Sequence, residues 1–263
     1  MEQIAGQRWV VTGADGTIGR ALRAALNDRG VELVSTDLRE PTPVGARERT
    51  AVADVADLEA LTSLFEGCRG VIHLGGLSDE ADFHDLAAVN IVGSYHVLEA
   101  ARRAGIDRVV FASSNRVTGM YPADTLTDTG MPPRPDGFYG VSKVAGEALC
   151  RLYADKFGLS TIALRIGSYD VQPTPGRMQR TWLSPADAVR AFVAAMTTQR
   201  HVGVFYAVSA NRDRWWDLEA GTDIGYLPES DAAALDAVEP FDPAAPQGGP
   251  YATAEFSLER MRR

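Results

Sequence analysis

Short apolar runs alternate with longer segments of helical period along most of this chain. Arg8 to Thr12 (RWVVT), Val31 to Thr36 (VELVST), Arg49 to Ala53, Gly70 to Leu74 (GVIHL), Arg108 to Phe111, Ser160 to Ile166 (STIALRI) and Val204 to Val208 each read as a strand. Between them, apolar residues three and four apart predict helices. One opens near Ile18 with Leu22, Ala25 and Leu26 on one face, and a second covers 57–66. A third runs from Ala88 to Ala104 with Val89, Val92, Val97 and Leu98 apolar, and a fourth from about Phe138 to Phe157. A fifth starts at Pro185, with Ser184 as its N-cap and proline in the first helical position. Crossovers of helical length force successive strands to run parallel. The prediction is therefore α/β: a doubly wound parallel sheet covered on both faces. Tyr169 to Trp182 reads as loop, and Asn211 to Trp216 with the tail EPFDPAAPQGGP predicts a small lobe over the sheet. Residues 1–263 thus form one domain, with a C-terminal substrate lobe built mainly from 168–183 and 209–263.

In such sheets ligands sit beyond the carboxyl ends of the strands, and candidate chemistry gathers there. After the first strand come Gly13, Gly16, Thr17, Ile18 and Gly19, glycines spaced three apart at a strand-to-helix turn. They let the backbone approach a pyrophosphate, and the helix N-terminus offers N–H groups to it. This makes the sheet a Rossmann-type dinucleotide binder. Asp37 ends the second strand, with Leu38 beside it, and an acid there holds both ribose hydroxyls while repelling a 2′-phosphate. That favours NAD over NADP, against Arg39, which would pair with the extra phosphate. Asp54, next to Val55, either accepts from an adenine amino group or caps the following helix. Leu74, Gly75 and Gly76 end the fourth strand and bring backbone close to a cofactor, while Ser78 lies a little beyond toward substrate. Asn90 is placed to hydrogen-bond backbone near the site, and Ile166 ends the sixth strand.

The stretch from Phe111 to Gly146 carries the candidate chemistry. Ser114 and Asn115 end a strand, and Tyr139 and Lys143 stand four apart on one helix face. A phenol serving as base near neutrality needs its pKa lowered by about 3 units, some 4 kcal/mol. A neighbouring ammonium and a cationic cofactor supply that. Only Lys143 and Lys156 represent lysine in the whole chain, which sets Lys143 apart from a merely solvated neighbour.

Composition narrows the field. A net charge of −9 without a basic stripe argues against a nucleic-acid surface, and an anionic substrate would then need a dedicated arginine. Arg177, in the Pro/Gly-containing loop after Ser168, is one candidate for a carboxylate clamp, and a surface ion pair is its alternative. No apolar run reaches the ~20 residues of a membrane span, and no signal peptide opens the chain. Cys68 and Cys150 have neither disulfide nor metal spacing, which fits a reducing cytoplasm. His84, His96 and His201 form no ligand cluster, so no metal is assigned; His73 inside an apolar run reads as a core histidine. Trp215 and Trp216 read as packing.

Taken together, TGADGTIG, the Asp37 strand end, HLGG, FASSN and YGVSK resemble the extended short-chain dehydrogenase/reductases over nearly the whole chain. More narrowly, VIHLGGLS, FASSN, RPDGFYGVSK, LRIGS, the Arg177 loop and Trp215-Trp216-Asp217 resemble the uronate dehydrogenase family. The resemblance implies NAD-dependent oxidation of D-glucuronate or D-galacturonate at C1 to an aldaric acid lactone. It implies Tyr139 as the base, Lys143 on the nicotinamide ribose and lowering the phenol's pKa, and Ser114 on the reacting oxygen. It further implies Ser78, Asn115 and Ser168 on sugar hydroxyls, and Arg177 on the C6 carboxylate. Arg116 departs from the family, where a histidine is expected. Homo-oligomers through the 88–104 and 138–157 helices are a further expectation of the resemblance. The rivals are an NAD-dependent epimerase, dehydratase or reductase on another sugar or nucleotide sugar, and a non-catalytic dinucleotide sensor.

Overall fold

A computed structural model describes residues 4–261, so positions 262–263 of the expected lobe lie outside the described residues. Among these residues nine strands form: β1 (Arg8–Thr12), β2 (Glu32–Asp37), β3 (Glu48–Val52), β4 (Gly70–His73), β5 (Arg108–Ser114), β6 (Ser160–Ile166), β7 (Ser168–Tyr169), β8 (Trp182–Leu183) and β9 (Val202–Ala207). Seven of them build one sheet in the order β3-β2-β1-β4-β5-β6-β9, every pair parallel. The winding direction reverses between β1 and β4, which opens a crevice at their carboxyl ends.

The α-helices are α1 (Thr17–Asp28), α2 (Leu58–Phe65), α3 (Phe83–Leu86), α4 (Gly93–Arg103), α5 (Phe138–Phe157), α6 (Arg177–Thr181), α7 (Pro185–Thr197), α8 (Glu219–Thr222) and α9 (Ala254–Leu258). Strand alternation sends Trp9 and Val11 into one core, with Leu22 and Leu26 of α1 and Phe192 of α7. Val10 and Val34 enter the opposite core, with Leu61, Phe65, Val97, Leu98 and Tyr153 of α2, α4 and α5. Ser184 caps α7 as expected, its hydroxyl accepting from Asp187 N–H at 3.1 Å.

Two expectations change. The helix predicted over Ala88–Ala104 begins earlier, as α3, and passes through a π-helical segment, Ala87–Val92, before α4. The wide turn places the Asn90 amide on the Leu77 peptide and leaves Val92 46% exposed, whereas periodicity put it in the core. The predicted loop Tyr169–Trp182 contains α6 and is closed by β7 pairing with β8. The tail is stitched to the segment before α5: the buried Gln247 side chain donates to the carbonyls of Pro122 and Thr125. Tyr206, Val208, Trp215, Trp216 and Leu218 form a separate small core under it, so both tryptophans are packing residues. Among the described residues no helix is long and apolar enough to cross a membrane.

Candidate active site

Gly13, Gly16, Asp37, Gly75 and Gly76 lie together at the carboxyl ends of β1, β2 and β4. Gly13 has φ +65°, and a β-carbon on it would stand 2.6 Å from the Gly75 nitrogen, so this turn admits only glycine. Gly19 is held by packing, because its β-carbon would meet the Gly13 and Ala14 carbonyl oxygens at 2.6 Å. Gly16 differs: it is exposed, and only the Gly13 oxygen lies within 4 Å of its would-be β-carbon. Behind it α1 begins at Thr17 and Ile18 with no side chain capping its N–H groups and no acid in its first turn. An open cradle of that kind fits a pyrophosphate. Asp37 faces it, one carboxylate oxygen accepting from Asp15 N–H at 2.9 Å and the other from Leu38 N–H at 2.8 Å. Leu38 is 68% exposed beside it, an apolar surface next to the cradle.

Other candidate cofactor residues have partners within the fold. Asp54 is exposed, its carboxylate accepting from Ala56 N–H, and the cap of α2 is Asp57 instead. Val55 packs against Gly75 and Gly93, while its carbonyl accepts from His96 Nδ1. Asn90 hydrogen-bonds backbone near the site, as its position suggested. It grips Leu77 N–H and C=O at 2.8 and 3.0 Å and donates to Ser142 Oγ at 3.0 Å, so it holds the Gly76 loop against α5. His73 is the core histidine the sequence suggested, between Thr12 and Ser94, and burial pushes its pKa down to about 3. Leu74 and Ile166 sit at or just past the ends of β4 and β6, with Ile166 in register with Ser114.

Ser114, Tyr139 and Lys143 converge as the helical spacing requires. All three are buried, with Lys143 Nζ 5.5 Å from the centre of the Tyr139 ring and donating to the Ala112 carbonyl at 3.0 Å. Gly140, between them, lets α5 close onto the Arg116 carbonyl, 2.7 Å from where a β-carbon would be. The electrostatics depart from the sequence reading. Burial pushes the Tyr139 phenol up to about 12, with the Ser114 hydroxyl and then Arg116 acting to lower it. Arg116, rather than Lys143, is thus the stronger cationic influence, and burial brings Lys143 itself down to about 8.

At the far end, α6 carries Arg177. Its Nε donates to the Gln247 carbonyl at 2.7 Å, and Nη1 lies 3.5 Å from Ser168 Oγ. Desolvation draws Arg177 down to about 10, and among the described residues no carboxylate pairs with it within 4 Å. Asn115 is buried with its Nδ2 unpartnered, and Ser78 is exposed at the mouth. Four residues at this end escaped the sequence reading: Asp79, Glu80 and Asp136, all paired with Arg116, and Tyr251, which stacks on it. Their one sequence signal is acids placed just after LGGLS and just before GFYG, flanking a lone arginine in the FASSN turn.

The NAD dependent epimerase/dehydratase family matches residues 9–169. A uronate dehydrogenase of Pseudomonas syringae pv. tomato is 41% identical over 84% of this chain and 82% of its own length. The crystal structure of a mutant uronate dehydrogenase from Agrobacterium tumefaciens complexed with NAD superposes with a TM-score of 0.87, at 38% identity over 94% of this chain and 97% of that one. An L-arabinose 1-dehydrogenase (NAD(P)(+)) of Haloferax volcanii is 38% identical, over 87% of this chain and 98% of its own. With the family matched across more than half its length and these relatives along most of it, the chain belongs to the NAD dependent epimerase/dehydratase family.

Proposed function

We propose that the protein oxidises a hexuronic acid, D-glucuronate or D-galacturonate, at C1 to the aldaric acid lactone with NAD as acceptor. Arg177 carries the reading: a desolvated guanidinium with no carboxylate within 4 Å among the described residues, Asp136 acting on it only from farther off, at the far end of a site whose other end is a dinucleotide cradle. A desolvated cation in that state favours an anionic ligand group. The uronate dehydrogenase relatives support the same substrate class.

In this reading Gly13, Gly16, Thr17, Ile18 and Gly19 hold the pyrophosphate, and Asp37, with Leu38, the adenosine ribose. Gly75, Gly76 and Ile166 line the nicotinamide end. NAD, when bound, accepts the hydride from C1 and adds positive charge to the site. Tyr139 removes the proton from the C1 hydroxyl, Ser114 donates a hydrogen bond to the reacting oxygen, and Lys143 binds the nicotinamide ribose. Asn115 Nδ2, Ser78 and Ser168 receive sugar oxygens, and Arg177 receives the C6 carboxylate. Association through α4, the π-helical turn before it and α5 belongs to the reading as well, since Val92, Tyr95, Leu152 and Phe157 expose large apolar side chains there; a monomer by sedimentation removes that part.

Steady-state NADH formation with glucuronate, galacturonate, glucose, galactose and arabinose tests the substrate. The uronates are expected to exceed the neutral sugars in kcat/KM, and Arg177→Ala to lower it for uronates by about a hundredfold, the scale of a lost charged hydrogen bond. Neutral sugars turned over as well as the acids would instead favour a neutral aldose, as the arabinose dehydrogenase relative suggests.

A further inference from the structure

Arg116 stands one residue beyond Asn115, in the turn that follows β5, and is 6% exposed. Its guanidinium donates from Nε to Asp136 at 2.8 Å, from Nη1 to Asp79 at 2.7 Å and from Nη2 to Glu80 at 3.1 Å. The Glu80 side chain is wholly buried and does more than pair. It accepts from the N–H groups of Phe138 at 2.8 Å and Tyr139 at 3.1 Å, and from Ser257 Oγ at 3.0 Å. Glu80 therefore caps the helix that bears Tyr139, a place Gly137 leaves without a capping side chain. The Arg116 guanidinium also lies 4.5 Å from the centre of the Tyr251 ring and 5.2 Å from that of Tyr139. Tyr251 in turn lies 5.3 Å from the Arg177 guanidinium.

We propose that Arg116 is a positioning residue that fastens the Ser78–Glu80 loop and the C-terminal segment 247–257 onto the amino end of α5, making that segment the outer wall of the substrate site. A planar guanidinium is needed because three carboxylates approach it from separate directions while an aromatic ring covers its face. An ammonium has neither that fork nor that flat surface. The charged and titratable groups facing Arg116 are Asp79 and Glu80 from the loop after β4, Asp136 from the segment before α5, Tyr139 from α5 and Tyr251 from the tail. Arg177 of α6 lies across the Tyr251 ring. Asp136 and Glu80 have fully buried side chains, and Arg116 is the cation that bonds both, with Arg177 also acting on Asp136 from farther off. Tyr251 then couples the Arg116 cluster to the clamp residue Arg177, so the tail touches both the α5 cap and the clamp.

The kinetic consequence rests on the uronate reading, and the fastening itself does not, so the experiment has two arms. In the first, Arg116→Lys and Tyr251→Ala are digested with chymotrypsin in their full-length form, and cleavage after Phe256, a site both variants keep, is followed by mass spectrometry. Both variants should be cut at least about tenfold faster than wild type, because the tail's open population governs cleavage. In the second, uronate KM should rise on the order of tenfold in Tyr251→Ala with little change in kcat, while Arg116→Lys also loses kcat through the displaced cap on α5. KM for NAD should stay within about twofold in both, because the cradle lies at the other end. Wild type that fails to oxidise uronates removes the proposed function and leaves the cleavage arm to decide. Wild-type cleavage rates in Tyr251→Ala overturn the fastening, even if Arg116→Lys does not fold. Unchanged uronate KM in an otherwise active Tyr251→Ala overturns the wall.

Discussion

At the scale of single residues, the site's electrostatics are set by burial before they are set by neighbours. Tyr139 and Lys143 were legible in sequence because their relation is local: four residues on one helix fix the shared face. Their protonation was not legible. The dry pocket moves the phenol up to about 12 and the ammonium down to about 8, so each is nearer to neutral than its spacing suggests. A base that must lose a proton gains activity as pH rises. Uronate oxidation should therefore climb with pH through an acid limb. Tyr139→Phe should lower kcat by about 10²–10⁴-fold with NAD affinity retained, as measured by fluorescence titration. Near-wild-type kcat in that variant would take the base role away from this phenol. Arg116 was visible as an odd residue, but its partners Asp79, Glu80, Asp136 and Tyr251 come from distant segments, and no local pattern joins them.

At the scale of elements, strands and long helices followed hydrophobic period closely: β1 and β6 run Arg8–Thr12 and Ser160–Ile166, and α5 Phe138–Phe157. Period failed where side chains overrode it. The Asn90 amide on Leu77 accompanies the π-helical segment, and the Gln179 side chain, bonded to Gly176 and Glu239 N–H groups, supports the short α6 within an apparent loop. A polar tie of the same kind joins α4 to α5. Glu99 accepts from Arg102, Arg103 and the Tyr153 hydroxyl, and Arg102 foremost holds its pKa at about 2, below the ordinary 4.5. Because the folded value is depressed, this stabilisation is present above about pH 4.5 and is lost as pH falls toward about 2. Glu99→Gln should then cost on the order of 1 kcal/mol at neutral pH. Thermal unfolding of the variant and wild type should converge across that acid window, and a gap independent of pH would show that packing, not charge, joins the helices.

At the scale of the whole molecule, uronate oxidation would require the site to gather an anion into a protein of net charge −9. Two fields compete. Arg177 acts at contact distance from a desolvated position, where salt screens poorly, whereas the surplus carboxylates act from many ångströms away through water. Around Arg116 the balance is negative too, one guanidinium meeting three carboxylates, although the Asp79 side chain is 58% exposed and weakly felt. Raising ionic strength from about 0.01 to 0.1 M shortens the screening length from about 30 to 10 Å, which removes the distant repulsion and spares the contact. With NAD saturating, kcat/KM for glucuronate should therefore rise by about twofold over this range, while a neutral aldose changes little. A fall with salt would mean that the field at the mouth is positive and that Arg177 attracts the substrate from a distance. Equal salt responses for acid and neutral sugar would mean that the substrate's charge is not sensed at all, and the assignment of Arg177 would go with it.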